Sequence, residues 1–141
     1  MEKYNIKDCV PSDVIQLYNI QEGTNYTKKI IEDMIVNDRM IFLKAVINKK
    51  IIGYVSLEIL IDEGEIHSVM VIDEYKNQGI AKELIKTAMN RVNLKKIFLE
   101  VNENNTKAIN LYKGLGFMPI SKRQKYYGDQ DAIIMEITLL L

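Results

Sequence analysis

The chain has 141 residues, 48% of them hydrophobic and 27% charged, which suits one compact domain with a buried core and leaves no room for a second. Its 19 lysines and arginines balance its 19 aspartates and glutamates, so overall charge draws it neither to nucleic acid nor to an anionic membrane. No stretch is apolar enough to span a bilayer, MEKYNIKDCV lacks the apolar run of a signal peptide, and the lone Cys9 has no disulfide partner, so a cytoplasmic location is expected and Cys9 reads as a small core residue.

Tyr4 to Val10 reads as a first strand, and Ser12 or Asp13 is placed to cap a short helix with Val14, Leu17 and Tyr18 on one face. A second helix follows Thr27, with Ile30, Ile31, Met34 and Ile35 inward. Met40 to Ile47, Ile51 to Leu60 and Gly64 to Ile72 are strand-like, and the short INKK and IDEG links predict an antiparallel meander. The period then changes from two to 3.6: Ile80, Ala81, Leu84, Ile85, Ala88, Met89 and Val92 form one helical stripe. KKIFLEV reads as a buried strand, TKAINLYKGL as a helix ended by glycine, and DAIIMEITLLL as a closing strand. The strand–helix–strand unit from Gly64 to Val101 predicts a right-handed crossover between parallel strands. The fold class is therefore α/β: a mixed sheet with an antiparallel N-terminal meander and helices on both faces.

Two segments carry chemistry. In YKNQGIAKELI a helix starts on Gly79 directly after a strand. The first turn of a helix has backbone N–H groups without intrahelical acceptors, and the macrodipole adds partial positive charge. Gly79 and Ala81 leave the backbone approachable, Lys76 and Lys82 flank the turn, and Asn77 and Gln78 add neutral donors. Together they suit a phosphate, although a glycine that only eases the start of an ordinary helix fits the pattern equally well. The segment matches neither the Walker loop nor the dinucleotide GxGxxG fingerprint. Downstream, LEVNENNTKAINLYKGLGF ends a buried strand on Glu100 and leads through a polar loop to Asn105 at a helix cap, with Tyr112 two turns further on. Glu100 also reads as a strand-end carboxylate paired with Lys95 or Lys96, and Tyr112 as a core aromatic. His67, the one histidine, shares a strand face with Glu65 and Val69 and reads first as structural.

The combination resembles the GNAT superfamily of acetyl-coenzyme A dependent N-acetyltransferases. Lys76-Asn77-Gln78-Gly79-Ile80-Ala81 follows that superfamily's Q/R-x-x-G-x-G/A pyrophosphate turn except for lysine at the first place. Asn105, Ala108, Leu111, Tyr112, Gly116 and Phe117 match its N-x-x-A-x-x-L-Y-x-x-x-G-F pattern. The resemblance runs from about Ile51 to the C-terminus and is greatest to ribosomal-protein alanine N-acetyltransferases, on IIGYVSLEILIDEGEIHSVMV, FLEVNENNTKAINLYKGLGF and YYGDQDAIIM. It departs where EGTNYTKK replaces a Pro-Trp pair and where the segment after Tyr127 is short. The resemblance implies acetyl-CoA as cosubstrate, no metal, and a protein or peptide N-terminus as acceptor. It further implies Glu100 as general base and Tyr112 as general acid. Backbone groups of Val69, Met70 and Val71 would lie against the thioester and pantetheine on a strand that splays from the next. Asn105 joins the cofactor residues, and Tyr126 and Tyr127 the acceptor mouth. A GNAT acting on a small amine or a lysine side chain stays open, as does a non-catalytic acetyl-CoA-binding module.

Overall fold

The computed structural model describes residues 3–139, except for the side chains of residues 125–127. Among the described residues seven strands are hydrogen-bonded in the order β1-β2-β3-β4-β5-β7-β6, with four α-helices between them in sequence. The chain divides into two compact units: Met1–Ile59 with His67–Val92, and Leu60–Ile66 with Asn93–Leu141.

In the first unit β1 (Asn5–Asp8) pairs antiparallel with β2 (Met40–Ile47), and β2 with β3 (Lys50–Leu60). The β2–β3 reversal is made by Asn48 and Lys49 at φ 47° and 69°, the left-handed pair a two-residue hairpin requires. β4 (Glu63–Val71) lies beside β3, as the meander predicted. Helices α1 (Val14–Ile20), α2 (Lys28–Val36) and α3 (Ile80–Asn90) complete the unit. Cys9, Val14, Leu17, Ile31, Phe42, Ile51, Tyr54 and Met70 form one buried cluster, with the Phe42 and Tyr54 rings edge to face at 5.8 Å. α3 buries Ile80, Leu84, Ile85 and Ala88, the stripe its 3.6 period marks. Burying each large aliphatic side chain contributes about 1.5–3 kcal/mol.

Three local expectations in this unit fail. Tyr18 is 40% exposed, its ring covered by the Lys28 ammonium at 5.3 Å, and Ile30 is 43% exposed; of the α2 residues expected inside, only Ile31 is fully buried. Asp13 does not cap α1. Its Oδ2 instead accepts from Val10 N at 2.8 Å and from Lys44 Nζ at 2.6 Å, because a partly buried ammonium from β2 competes for the same oxygen. Thr27 does cap α2, accepting from Ile30 N at 3.1 Å.

In the second unit Glu63–Glu65 of β4 runs parallel to Lys96–Phe98 of β5 (Lys96–Asn102). β5 is antiparallel to β7 (Gln130–Thr138) along its whole length, and β6 (Met118–Tyr127) pairs antiparallel with β7. Ile97, Leu99 and Val101 are buried while Lys96, Phe98, Glu100 and Asn102 share the other face. Helix α4 (Thr106–Gly114) closes through hydrogen bonds from Leu115, Gly116 and Phe117 back to its last turn. Gly116 there has φ 105°, a conformation that favours glycine. β6 is absent from the sequence expectation. MPISKRQKYY has little apolar alternation and carries Pro119, which only an edge strand tolerates.

Candidate active site

The α3 start is built by backbone conformation. A single turn of 3-10 helix, Asp73–Tyr75, ends β4, and Asn77 and Gly79 then take φ 63° and 81°. The helical ladder begins with Glu83 N donating to Gly79 O at 3.1 Å, so the N–H groups ahead of it have no acceptor in the helix. Gly79, the N-cap, supplies no side-chain hydrogen bond, whereas Thr27 caps α2 and Asn105 caps α4 by accepting from Ala108 N at 3.2 Å. A β-carbon placed on Gly79 would meet nothing within 4 Å. An uncapped helix start over open space fits a pyrophosphate oxygen.

Of the two flanking lysines, Lys76 has carboxylate partners. Lys76 Nζ lies 2.8 Å from Asp73 Oδ1 and 3.6 Å from Glu22 Oε2. Its hydrogen bond to Asp73 and the Glu22 charge raise its pKa, and Lys76 in turn lowers that of Asp73. Lys76 is therefore a charged ammonium engaged by two carboxylates. Asn77, Gln78 and Lys82 are exposed, Ala81 is half-buried and Ile80 is buried, so Ile80 offers only its backbone to a ligand.

Val69, Met70 and Val71 lie in the last part of β4, half-buried to buried. A β-carbon on Gly53 of β3 would stand 2.7 Å from the Met70 carbonyl oxygen, so this segment is fixed by close backbone approach from β3. The β4–β5 ladder spans Glu63–Glu65 with Lys96–Phe98. From Leu99 onward the described pairing of β5 is with β7. Glu100 thus lies two residues past Phe98, the last β5 residue in the parallel ladder.

The Glu100 side chain is 17% exposed, and its Oε1 lies 2.8 Å from Arg123 Nη2 of β6. Lys95 pairs with Asp62 at 3.1 Å and Lys96 with Glu136 at 3.5 Å, so the neighbours expected for Glu100 are engaged elsewhere. Tyr112 is 8% exposed and packs edge to face on Phe117, ring centroids 5.9 Å apart. Asn102 organises the loop between: its Oδ1 accepts from Asn104 N at 2.9 Å and its Nδ2 donates to Gln130 Oε1 at 2.6 Å.

His67 Nε2 lies 2.7 Å from Glu58 Oε1 across β3 and β4. The side chains of Tyr126 and Tyr127 lie outside the described residues. Sequence reasoning missed Arg123 and Asn102, which pair across strands with Glu100 and Gln130. It also missed Gln21, whose amide donates to Tyr26 O at 2.8 Å and accepts from Tyr26 N at 2.9 Å and Thr24 Oγ1 at 2.7 Å. The α1–α2 loop that lacks the Pro-Trp pair is thereby closed by one side chain.

The seven-strand mixed sheet with its helices is the fold of an acetyltransferase class. The chain belongs to the acetyltransferase (GNAT) family, which it matches over residues 11–117, and it is an acetyl-CoA-dependent acetyltransferase. It is 27% identical to an N-alpha-acetyltransferase of Sulfurisphaera tokodaii, over 98% of this chain and 95% of that one. It is likewise 27% identical to a putative ribosomal protein bS18 alanine N-acetyltransferase of Bacillus subtilis, over 97% of both. The crystal structure of the ribosomal-protein-S18-alanine N-acetyltransferase from Escherichia coli shares the fold, with a TM-score of 0.87 at 23% identity over 99% of this chain and 96% of that one.

Proposed function

We propose that this acetyltransferase modifies the N-terminal α-amine of a protein, a ribosomal protein foremost, in the cytoplasm, and that its two units act as one catalytic domain. The observation that carries the acceptor class is the near full-length match to an N-alpha-acetyltransferase, 98% of this chain against 95% of the relative. An α-amine titrates near ~8 and a lysine near ~10.4, so freeing the α-amine at neutral pH costs about 3 kcal/mol less.

Acetyl-CoA supplies the acetyl group as a thioester. The backbone N–H groups of Gly79, Ile80, Ala81 and Lys82 hold its pyrophosphate, with Asn77 and Gln78 beside them, and Val69–Val71 and Asn105 hold its pantetheine side. Backbone N–H groups of the same strand polarise the carbonyl oxygen. Glu100 takes the proton of the attacking amine, directly or through a water, while the phenol of Tyr112 gives a proton to the departing thiolate. Tyr126 and Tyr127 shape the acceptor mouth. No enzyme nucleophile or metal takes part in this scheme.

Two variants test the assignment. Tyr112→Phe and Glu100→Gln should each lower turnover with little change in acetyl-CoA affinity, the second most visibly at low pH. Wild-type rates in both would remove the mechanism.

A further inference from the structure

We infer that Arg123 is the positioning residue for Glu100, fixing one carboxylate oxygen so that the other is aimed to take the acceptor proton; the inference rests on the acid–base reading above. The two residues sit on strands separated by β7, a span of roughly 10 Å between backbones. Only a long side chain bridges it. The register shows how: Glu100 is opposite Ile134, which is opposite Ser121, while Asn102 is opposite Ala132, which is opposite Arg123. Arg123 therefore lies one pleat step towards the loop end, on the same face as Glu100. The strand crossed carries only the methyl of Ala132 at the intervening position.

The contact uses Glu100 Oε1 and Arg123 Nη2 at 2.8 Å. Among the described residues Oε2 of Glu100 has no ion-pair or hydrogen-bond partner, which leaves it for a proton. Other charges near this face are engaged or belong elsewhere. Lys96 is two pleats back with Glu136 at 3.5 Å, and Glu63 and Glu65 of β4 stand opposite Lys96 and Phe98. Lys122 follows the opposite pleat, with Glu103 at 3.3 Å and Asp131 at 4.0 Å. Arg123 is also the last evenly paired residue of β6 before its register shifts ahead of Tyr127. The anchor is thus placed on regular sheet, where its backbone is held on β7.

The test is steady-state acetylation of a short peptide beginning with alanine by the full chain and four variants: Arg123→Met, Arg123→Lys, Glu100→Gln and the Arg123→Met/Glu100→Gln double. Loss of aim should lower kcat about tenfold in Arg123→Met, with the KM for acetyl-CoA and the melting temperature close to wild type. Arg123→Lys, which keeps charge but reaches less far, should fall between. The double variant should be no slower than Glu100→Gln alone, since an anchor has nothing to act on once the base is gone. Arg123→Met at full rate beside a slow Glu100→Gln would overturn this inference alone, as would a double variant about tenfold slower than Glu100→Gln. Glu100→Gln at full rate would remove the base reading and the inference with it. Should Arg123→Met fail to fold, Arg123→Lys against Glu100→Gln decides by the same criterion.

Discussion

Replacing Gly79 separates its two roles, backbone conformation and ligand space. With φ at 81°, an alanine there carries the left-handed penalty of about 1–2 kcal/mol. Asparagine, which tolerates that region, carries less. In a chain of this size each kcal/mol moves the melting temperature by about 4 °C, so Gly79→Ala should melt roughly 4–8 °C low and Gly79→Asn nearer to wild type. Stability and binding then part company. A β-carbon at Gly79 meets no protein atom within 4 Å, so the asparagine side chain fits the free protein but enters the space assigned to the pyrophosphate. Losing one charge-assisted hydrogen bond costs about 1.5–3 kcal/mol, roughly a tenfold to hundredfold rise in Kd. Titration calorimetry with acetyl-CoA, paired with melting curves, reads both numbers. Wild-type affinity in a well-folded Gly79→Asn would refute the cradle.

Three further outcomes follow from packing. Gly53→Ala sets a β-carbon 2.7 Å from the Met70 carbonyl oxygen, so β4 must shift, and acetyl-CoA binding should weaken together with stability; unchanged affinity would detach Val69–Val71 from the cofactor. The Asp13–Lys44 pair has side chains only 9% and 13% exposed, so Asp13→Ala strands a buried ammonium and should lower unfolding free energy by about 3 kcal/mol in urea titrations. A loss under 1 kcal/mol would show the pair to be as weak as a solvated one. Burial above all, and then the Asp13 carboxylate, pushes the Cys9 thiol well above its ordinary pKa. The native thiol should therefore stay protonated and resist Ellman's reagent at pH 8 yet react fully in denaturant; rapid native labelling would contradict its place in the core.

What the sequence made legible was local. The α3 stripe from Ile80 to Ala88, the β2–β3 hairpin, the helix after Thr27 and the cap at Asn105 each follow from residues a few positions apart, and each is in the structure. The long-range partners were not legible. Glu100 sits four and five residues from Lys96 and Lys95, yet its partner is Arg123 of β6, a strand whose polar, proline-bearing sequence gives no period to read. Lys76 pairs at 2.8 Å with its local neighbour Asp73, whereas its second carboxylate, Glu22 at 3.6 Å, comes from the distant α1–α2 loop. Tyr18 and Ile30 fit helical faces by spacing, and only tertiary packing decides how far such a face is covered.

Radiolabelled acetyl-CoA offered to three acceptor sets gives the most direct test of the central claim. The first is peptides with free N-terminal alanine, serine or methionine; the second is the same peptides blocked at the N-terminus but carrying lysine; the third is a set of polyamines and aminoglycosides. The account predicts label on the free-N-terminus peptides alone. Label only on blocked lysine peptides or small amines would contradict the α-amine assignment while leaving the family, the fold and the acetyl-CoA cradle in place.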